Sequence, residues 1–230
     1  MTDHPKGAGK RRRGIYILPN LLTTAALFAG FYAIVQAMHG QFELAAGGIF
    51  VAMVLDALDG RVARLTHTES DFGKEYDSLS DMVSFGLAPA LVVYEWALSG
   101  MGKLGWLVAF LYAAAAALRL ARFNTQVKQV DSRFFRGLPS PAAAGLVTGM
   151  MWVFSSYGIP GREISIVALV FMVLAGGAMV SNIRYHAYKH INLKGRVPFI
   201  AVLAVVVGFV LISLDPPQVL FGVFLLYALS

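Results

Sequence analysis

Four aspartates in the first half of the chain, Asp56, Asp59, Asp77 and Asp81, have the spacing of a chemical site. Asp56 and Asp59 stand at i and i+3, and Asp77 and Asp81 at i and i+4, so on helices each pair shares one face. Asp56 and Asp59 lie in "LDALDGRVAR", at the end of an apolar run that begins at Leu44. Carboxylates crowded together in an apolar setting suffer desolvation and mutual repulsion. A charge at the centre of a bilayer costs about 2.5–3.5 kcal/mol on insertion scales. A water-filled cavity and bound cations relieve both costs. The four groups offer only oxygen, which suits hard divalent ions such as Mg²⁺ or Mn²⁺. Two such ions held by shared carboxylates are a device for phosphoryl chemistry. A single intramembrane aspartate often serves as a helix–helix hydrogen bonder or proton relay, but that does not explain four acids on two matched faces. Gly60 and Gly73 would let a ligand approach the backbone closely. Arg64, about a turn beyond Asp59, can reach the same entrance and pair with a phosphate.

The elements that must carry these residues are membrane helices. The chain of 230 residues is 57% hydrophobic and 14% charged, whereas soluble domains carry about 25% charged residues. Its apolar residues come in blocks of about 15–25, enough to cross a hydrocarbon core of roughly 30 Å. The expected spans are 17–38, 42–65, 76–98, 104–123, 139–157, 164–185, 198–214 and 217–229. Prolines 19, 139, 141, 198, 216 and 217 fall at or near helix starts, where the missing N–H costs nothing. Pro89, inside the third span, should kink it. With the N-terminus in the cytoplasm, seventeen of the nineteen Lys and Arg residues fall inside, and only Lys103 and Arg162 outside. The expected architecture is an all-α polytopic membrane bundle of about eight transmembrane helices with both termini cytoplasmic. Residues 1–15 form a basic cytoplasmic segment and 16–230 a single transmembrane domain.

Other features read more plainly. The absence of cysteine excludes disulfides, thiolate metal sites and cysteine nucleophiles. The first apolar run has no small-residue cleavage site, so no signal peptide is expected. The basic "KGAGKRRR" segment orients the chain and attracts anionic lipid, and no nucleic-acid partner is expected. Trp96, Trp106 and Trp152 read as interfacial anchors. His39, His67, His186 and His190 show no metal-like grouping. Ser78, Ser80 and Ser84 either line the cavity or bond to helix carbonyls. "YAAAAALRLAR" and "PAAAGLVTG" are small-residue faces for close packing within or between protomers.

Written out, the acidic stretch is Asp56-x2-Asp59-Gly60-x2-Ala63-Arg64-x8-Gly73-x3-Asp77-x3-Asp81. This pattern resembles the full motif of the CDP-alcohol phosphotransferase family, with no departure at any defined position. "YILPNLLTTAALFAGFYAI", "EYDSLSDMVSFGLAPA", "LRLARFN" and "FRGLPSPAAAG" are similar to the bacterial membrane branch of that family that forms phosphatidylserine. The resemblance covers at least Tyr16 to about Gly145. It implies transfer of a phosphatidyl group from CDP-diacylglycerol to L-serine, with release of CMP, at the cytoplasmic face of a bacterial inner membrane. It implies two divalent cations, Mg²⁺ or Mn²⁺, ligated by Asp56, Asp59, Asp77 and Asp81, with Asp81 also the general base. Gly60, Arg64 and Ser70 match positions that hold the CDP part of the donor. Gly60, Ala63 and Gly73 would be small so that the nucleotide can lie against the helices. Asn20 and Thr23 resemble further nucleotide contacts. Family members are often homodimers.

The acceptor pocket is more open to reading. A serine acceptor calls for a cation to meet its carboxylate and for acceptors to meet its ammonium, and Arg119, Arg122 and Asn124 are candidates, with Arg133 and Arg136 behind them. Each arginine is equally accounted for by positive-inside charge and lipid headgroup contact. A transferase with the same motif that uses glycerol 3-phosphate or an inositol phosphate stays open, because charge alone does not exclude a phosphorylated acceptor. A divalent-cation transporter is an alternative of another class. It would place acids near the midplane, away from a cation such as Arg64.

Overall fold

The structure, a computed structural model, describes residues 17–126, 134–186 and 199–230. The basic N-terminal segment, Arg133 and His190 therefore lie outside the described residues.

The fold is a helical bundle. Helices α1 (Ile17–Met38) and α2 (Phe42–Thr66) form an antiparallel hairpin closed by a short turn at Gly40, whose φ is +72°. Small residues set their separation. Ala26, Ala29, Gly30, Ala33 and Ala37 of α1 are buried, as are Ala45, Ala46, Gly48, Ile49 and Ala52 of α2. A Cβ on Gly48 would stand 3.0 Å from the Ala29 carbonyl oxygen. This is the close backbone approach that small residues permit in membrane bundles.

α2 ends in a Schellman turn. His67 adopts the left-handed conformation at φ 51°, ψ 42°, and Thr68 N donates to the Ala63 carbonyl at 3.0 Å. Ser70 then caps α3 (Asp71–Asp81), its hydroxyl accepting from Gly73 N at 3.0 Å. The third helical segment thus starts five residues before the expected Tyr76, because a capping serine and a polar first turn extend it. Beyond Asp81 the chain widens into a π-helical stretch at Met82–Leu87, returns to α-helix as α4 (Ala88–Val93), and widens again at Tyr94–Leu98. The irregularity expected at Pro89 takes this form. Pro89 cannot donate to the Phe85 carbonyl four residues back, and the Tyr112 hydroxyl of the next helix donates to that oxygen at 3.2 Å.

α5 (Lys103–Gln126), α6 (Ser140–Ser156), α7 (Ser165–Val180), α8 (Phe199–Leu214) and α9 (Pro216–Leu229) complete the bundle. α5 packs on α7, where Gly176 faces Tyr112 and Ala115, and α6 packs on α9, where Gly145 and Gly149 meet Phe224 and Phe221. Both small-residue faces are therefore used within one protomer. α9 starts at paired prolines, with the Asp215 carboxylate accepting from Gln218 N at 3.3 Å.

Four helical stretches are long and apolar enough to cross a membrane by length and composition: Ile17–Met38, Asp71–Met101, Lys103–Thr125 and Gly161–Val180. α2 carries the charges of the motif, and α6, α8 and α9 hold 17, 16 and 14 residues.

Two expectations are corrected. The sixth span does not reach Tyr185. α7 ends at Val180, and β1 (Phe134–Arg136) pairs antiparallel with β2 (Arg184–His186), Phe135 opposite Tyr185. Leu138 N donates to the Ala178 carbonyl and Gly137 N to that of Ile183, so the preceding loop takes up carbonyls at the helix end. Gly137, at φ +79°, makes that approach possible, since a Cβ there would strike the Met179 carbonyl oxygen. The tryptophans divide: Trp106 is exposed, Trp96 is buried in the core, and Trp152 packs against Phe50 with tilted rings, centroids 5.6 Å apart.

Candidate metal and phosphate site

Asp56 and Asp59 come from the second half of α2, and Asp77 and Asp81 from α3, one turn apart on each helix. The hairpin through Gly60, His67 and Gly73 folds these faces together. One carboxylate oxygen from each of Asp56, Asp59 and Asp77 lies within 4.8 Å of the others. Asp56 also meets the carboxyls of Asp77 and Asp81 at hydrogen-bonding range. At an effective dielectric near 20, unit charges at that separation repel by about 3 kcal/mol per pair. Three such pairs approach the ~5–15 kcal/mol total stability of a typical domain. Shared protons or bound cations relieve that repulsion, and the cluster is one that could hold a metal ion.

Its local bonding supports that assignment. Oδ1 of Asp77 is buried and has no hydrogen-bond partner. A buried carboxylate oxygen left unpaired is costly, and a hard cation is the partner this oxygen-only set would take. Asp59, 5% exposed, is held in place: Thr23 Oγ1 donates to its Oδ2 at 2.6 Å. α3 is fastened to α1 beside it. Ser80 Oγ donates to the Thr23 carbonyl and Ser84 Oγ to that of Ala26, both at 3.1 Å. These serines bond across to α1, not within their own helix. Gly30 makes the contact possible, because a Cβ there would stand 2.6 Å from Ser84 Oγ and 2.8 Å from Ser84 Cα.

The expected nucleotide contacts take differing places. Arg64 is exposed, and its guanidinium is the group that a Cβ on Gly60 would meet, at 3.5 Å. Ala63 is half-buried on the same helix. Gly73 faces Ser70 Oγ and Asn20 Oδ1, at 3.1 and 3.5 Å from a built Cβ, so Asn20, Ser70 and Gly73 form one small cluster beside the acids. Thr23 is 4% exposed and engages Asp59, which places it behind a carboxylate.

The candidate acceptor residues separate more sharply. Arg119 on α5 is partly buried, lies in electrostatic reach of Asp81 and Asp56, and donates from Nη1 to Ser140 Oγ at 2.6 Å. Arg122 donates to Asn182 Oδ1 at 2.6 Å, and Asn124 to Ser78 Oγ at 2.9 Å. Arg136 is exposed at β1. Sequence reasoning missed Ser140 and Tyr76, whose hydroxyl bonds to Thr24 at 2.9 Å. "FRGLPSPAAAG" contained Ser140, but nothing in the spacing joins it to Arg119.

Comparison with known proteins bears on the family of the chain. The family model described as CDP-alcohol phosphatidyltransferase matches residues 16–229. A CDP-diacylglycerol–serine O-phosphatidyltransferase of Helicobacter pylori (strain ATCC 700392 / 26695) is 38% identical over 215 residues, covering 94% of this chain and 90% of the relative. The protein of that name from Mycobacterium tuberculosis (strain ATCC 25618 / H37Rv) is 41% identical over 159 residues, 66% of this chain and 55% of its own. An archaetidylserine synthase of Methanothermobacter thermautotrophicus is 34% identical over 178 residues, 76% of this chain and 72% of its own. With a family model spanning nearly the whole chain and an acidic cluster built from the defined motif positions, the chain belongs to the CDP-alcohol phosphatidyltransferase family.

Proposed function

We propose that this protein transfers the phosphatidyl group of CDP-diacylglycerol to the hydroxyl of L-serine, forming phosphatidylserine and CMP. The observation that carries the reading is the convergence of Asp56, Asp59 and Asp77, with Asp81 beside them and one Asp77 oxygen buried without a partner. Relatives whose names include serine, from bacteria and an archaeon, favour serine over a phosphorylated acceptor. The skew of basic residues supports an eight-span chain with both termini and the site on the cytoplasmic side of a bacterial inner membrane. The homodimer implied by the family likeness belongs to the same reading.

Asp56, Asp59, Asp77 and Asp81 would hold two divalent ions, Mg²⁺ or Mn²⁺. When bound, such ions supply charge neutralisation at the diphosphate and polarise the phosphorus under attack. The chain's own residues do the rest. Thr23 orients Asp59. Gly60, Ala63, Gly73, Asn20 and Ser70 leave room and polar partners for the cytidine nucleotide, and Arg64 meets its phosphate from the rim. The serine hydroxyl attacks the phosphorus that bears the diacylglycerol, and the bond from that phosphorus to the bridging oxygen breaks. CMP departs with that oxygen. Asp81 takes the hydroxyl proton, because a serine hydroxyl is a weak nucleophile without a base in reach. Positioning and electrostatics dominate such a transfer.

The test is CMP release by the purified protein with CDP-diacylglycerol and Mg²⁺ or Mn²⁺, offering serine, glycerol 3-phosphate and inositol phosphate separately. Serine alone should support turnover. Asp81→Asn should abolish it while donor binding survives. No CMP with any acceptor would overturn the enzyme reading, and full activity of Asp81→Asn would remove the base assignment.

A further inference from the structure

A second cavity lies at the end of the bundle away from the acids. Phe42, Trp96, Ser155, Ile159, Gly161 and Arg162 line it, and its volume is about 460 Å³, within the usual range of ligand sites. Phe42 opens α2, so the cavity stands 14 residues (42 to 56), or about 21 Å of helix, from Asp56. Its rim is a defined turn. Gly158, at φ +69°, leads the chain out of α6, with its N–H donating to the Ser155 carbonyl at 2.9 Å and Ile159 N to that of Phe154 at 3.0 Å. Gly161 then lies flat on Trp96, since a Cβ there would strike the Trp96 carbonyl oxygen. Trp96 is 6% exposed, and among the described residues neither its indole N–H nor the Ser155 hydroxyl has a hydrogen-bond partner. Arg162 is the one charged residue among those that line the cavity, and among the described residues it pairs with no carboxylate. It is also one of the two basic residues that the charge skew leaves on this side.

We propose that this cavity binds the headgroup of an aminophospholipid from the leaflet opposite the acids, with its phosphodiester on Arg162. A guanidinium fork, an indole N–H and a hydroxyl bordering one cavity make a donor set for phosphate oxygens. The position argues for a lipid. The cavity sits where the apolar stretches Asp71–Met101 and Gly161–Val180 end, which is the level at which headgroups meet a membrane bundle. Phe42 and Ile159 give it apolar wall. The surrounding charge selects the headgroup. Glu43, Glu95 and Glu163 each adjoin a lining residue in the chain, and all three are exposed. An acidic rim about a single cation disfavours a phosphomonoester, which carries close to two charges at neutral pH. It suits a phosphodiester monoanion that carries an ammonium. The site is separate from the transfer site and stands whichever acceptor that site uses.

The experiment titrates the full-length protein, purified and delipidated in detergent, with short-chain phosphatidylethanolamine, phosphatidylglycerol or inorganic phosphate. Native mass spectrometry counts bound lipid, and the unfolding midpoint reports stabilisation. Phosphatidylethanolamine should bind and raise the midpoint. Arg162→Gln should weaken that binding about 10-fold or more, the scale of a lost hydrogen bond to a charged group. Arg162→Lys should recover only part of it, because an ammonium lacks the fork, and Ser155→Ala should weaken it by a smaller factor. Stabilisation of Arg162→Gln by Mn²⁺ should match wild type, which shows that the variant is folded and that the acids are untouched. Phosphatidylethanolamine binding to Arg162→Gln within twofold of wild type would overturn the site. Phosphatidylglycerol binding as tightly as phosphatidylethanolamine would overturn the selection for an amine. Inorganic phosphate binding as tightly as either lipid would overturn the lipid assignment in favour of a soluble phosphate.

Discussion

Removing the hydroxyl of Thr23 tests how the acidic site is built. Thr23 is buried where α1 meets α2, with Oγ1 2.6 Å from Asp59 Oδ2 and 3.1 Å from the Pro19 carbonyl oxygen. One hydroxyl has one proton, and the shorter contact to a carboxylate claims it. A hydrogen bond to a charged group contributes about 1.5–3 kcal/mol, and the lower end of that range is taken here. Every 1.4 kcal/mol is about tenfold in an equilibrium constant. Thr23→Val should therefore raise the half-saturating concentration of Mn²⁺ about 10-fold, within the range known for partners that orient metal ligands. Thr23→Ser keeps the donor and should stay close to wild type. The assay is CMP release against Mn²⁺ concentration, paired with direct calorimetric titration of Mn²⁺. A Thr23→Val midpoint within twofold of wild type, in a folded protein, would refute the claim that this hydroxyl holds Asp59 for the metal.

Three further outcomes are expected. Asp77→Asn removes one charge from a repelling cluster and gives Asp56 a donor, so without metal its unfolding midpoint should rise by about 2–4 °C for ~1 kcal/mol, while stabilisation by Mn²⁺ disappears. Retained Mn²⁺ stabilisation would argue against Asp77 as a ligand. Gly30→Ala forces a Cβ to 2.8 Å from the Ser84 backbone, whereas Gly47 has nothing within 4 Å. Overpacking there should cost about 1–3 kcal/mol and shift both the unfolding midpoint and the Mn²⁺ midpoint, with Gly47→Ala as the silent control. His67→Gly, at φ 51°, should stabilise the protein by about 1 kcal/mol in thermal unfolding, since glycine tolerates the left-handed conformation that closes α2.

Much of the site was legible because helical periodicity is a local property. Asp56 with Asp59, and Asp77 with Asp81, share faces on any helix, so their convergence needed only a hairpin between α2 and α3. The nucleotide-facing positions were less uniform. Ser70 turned out to cap α3, and Thr23 to hold Asp59, because both side chains found partners that spacing does not reveal. Trp96, expected at an interface, is in the core beside Gly161, and its surroundings come from an element 65 positions away in the chain. The end of α7 was misjudged because hydropathy does not register the competing ladder of β1 and β2.

The sequence by itself determined the helical class, the approximate place of each apolar segment and the pairing of acids along each helix. These follow from residue type and from periods of three and four. Only the tertiary structure decided which groups meet across helices. Thr23 reaches Asp59 over 36 positions because alanines and Gly48 let α1 and α2 close up, Ser84 reaches the Ala26 carbonyl because Gly30 has no side chain, and Ser140 meets Arg119 over 21 positions. Those contacts depend on register and on interhelical distance, which are set by the packing of many small residues together and by no single stretch of chain.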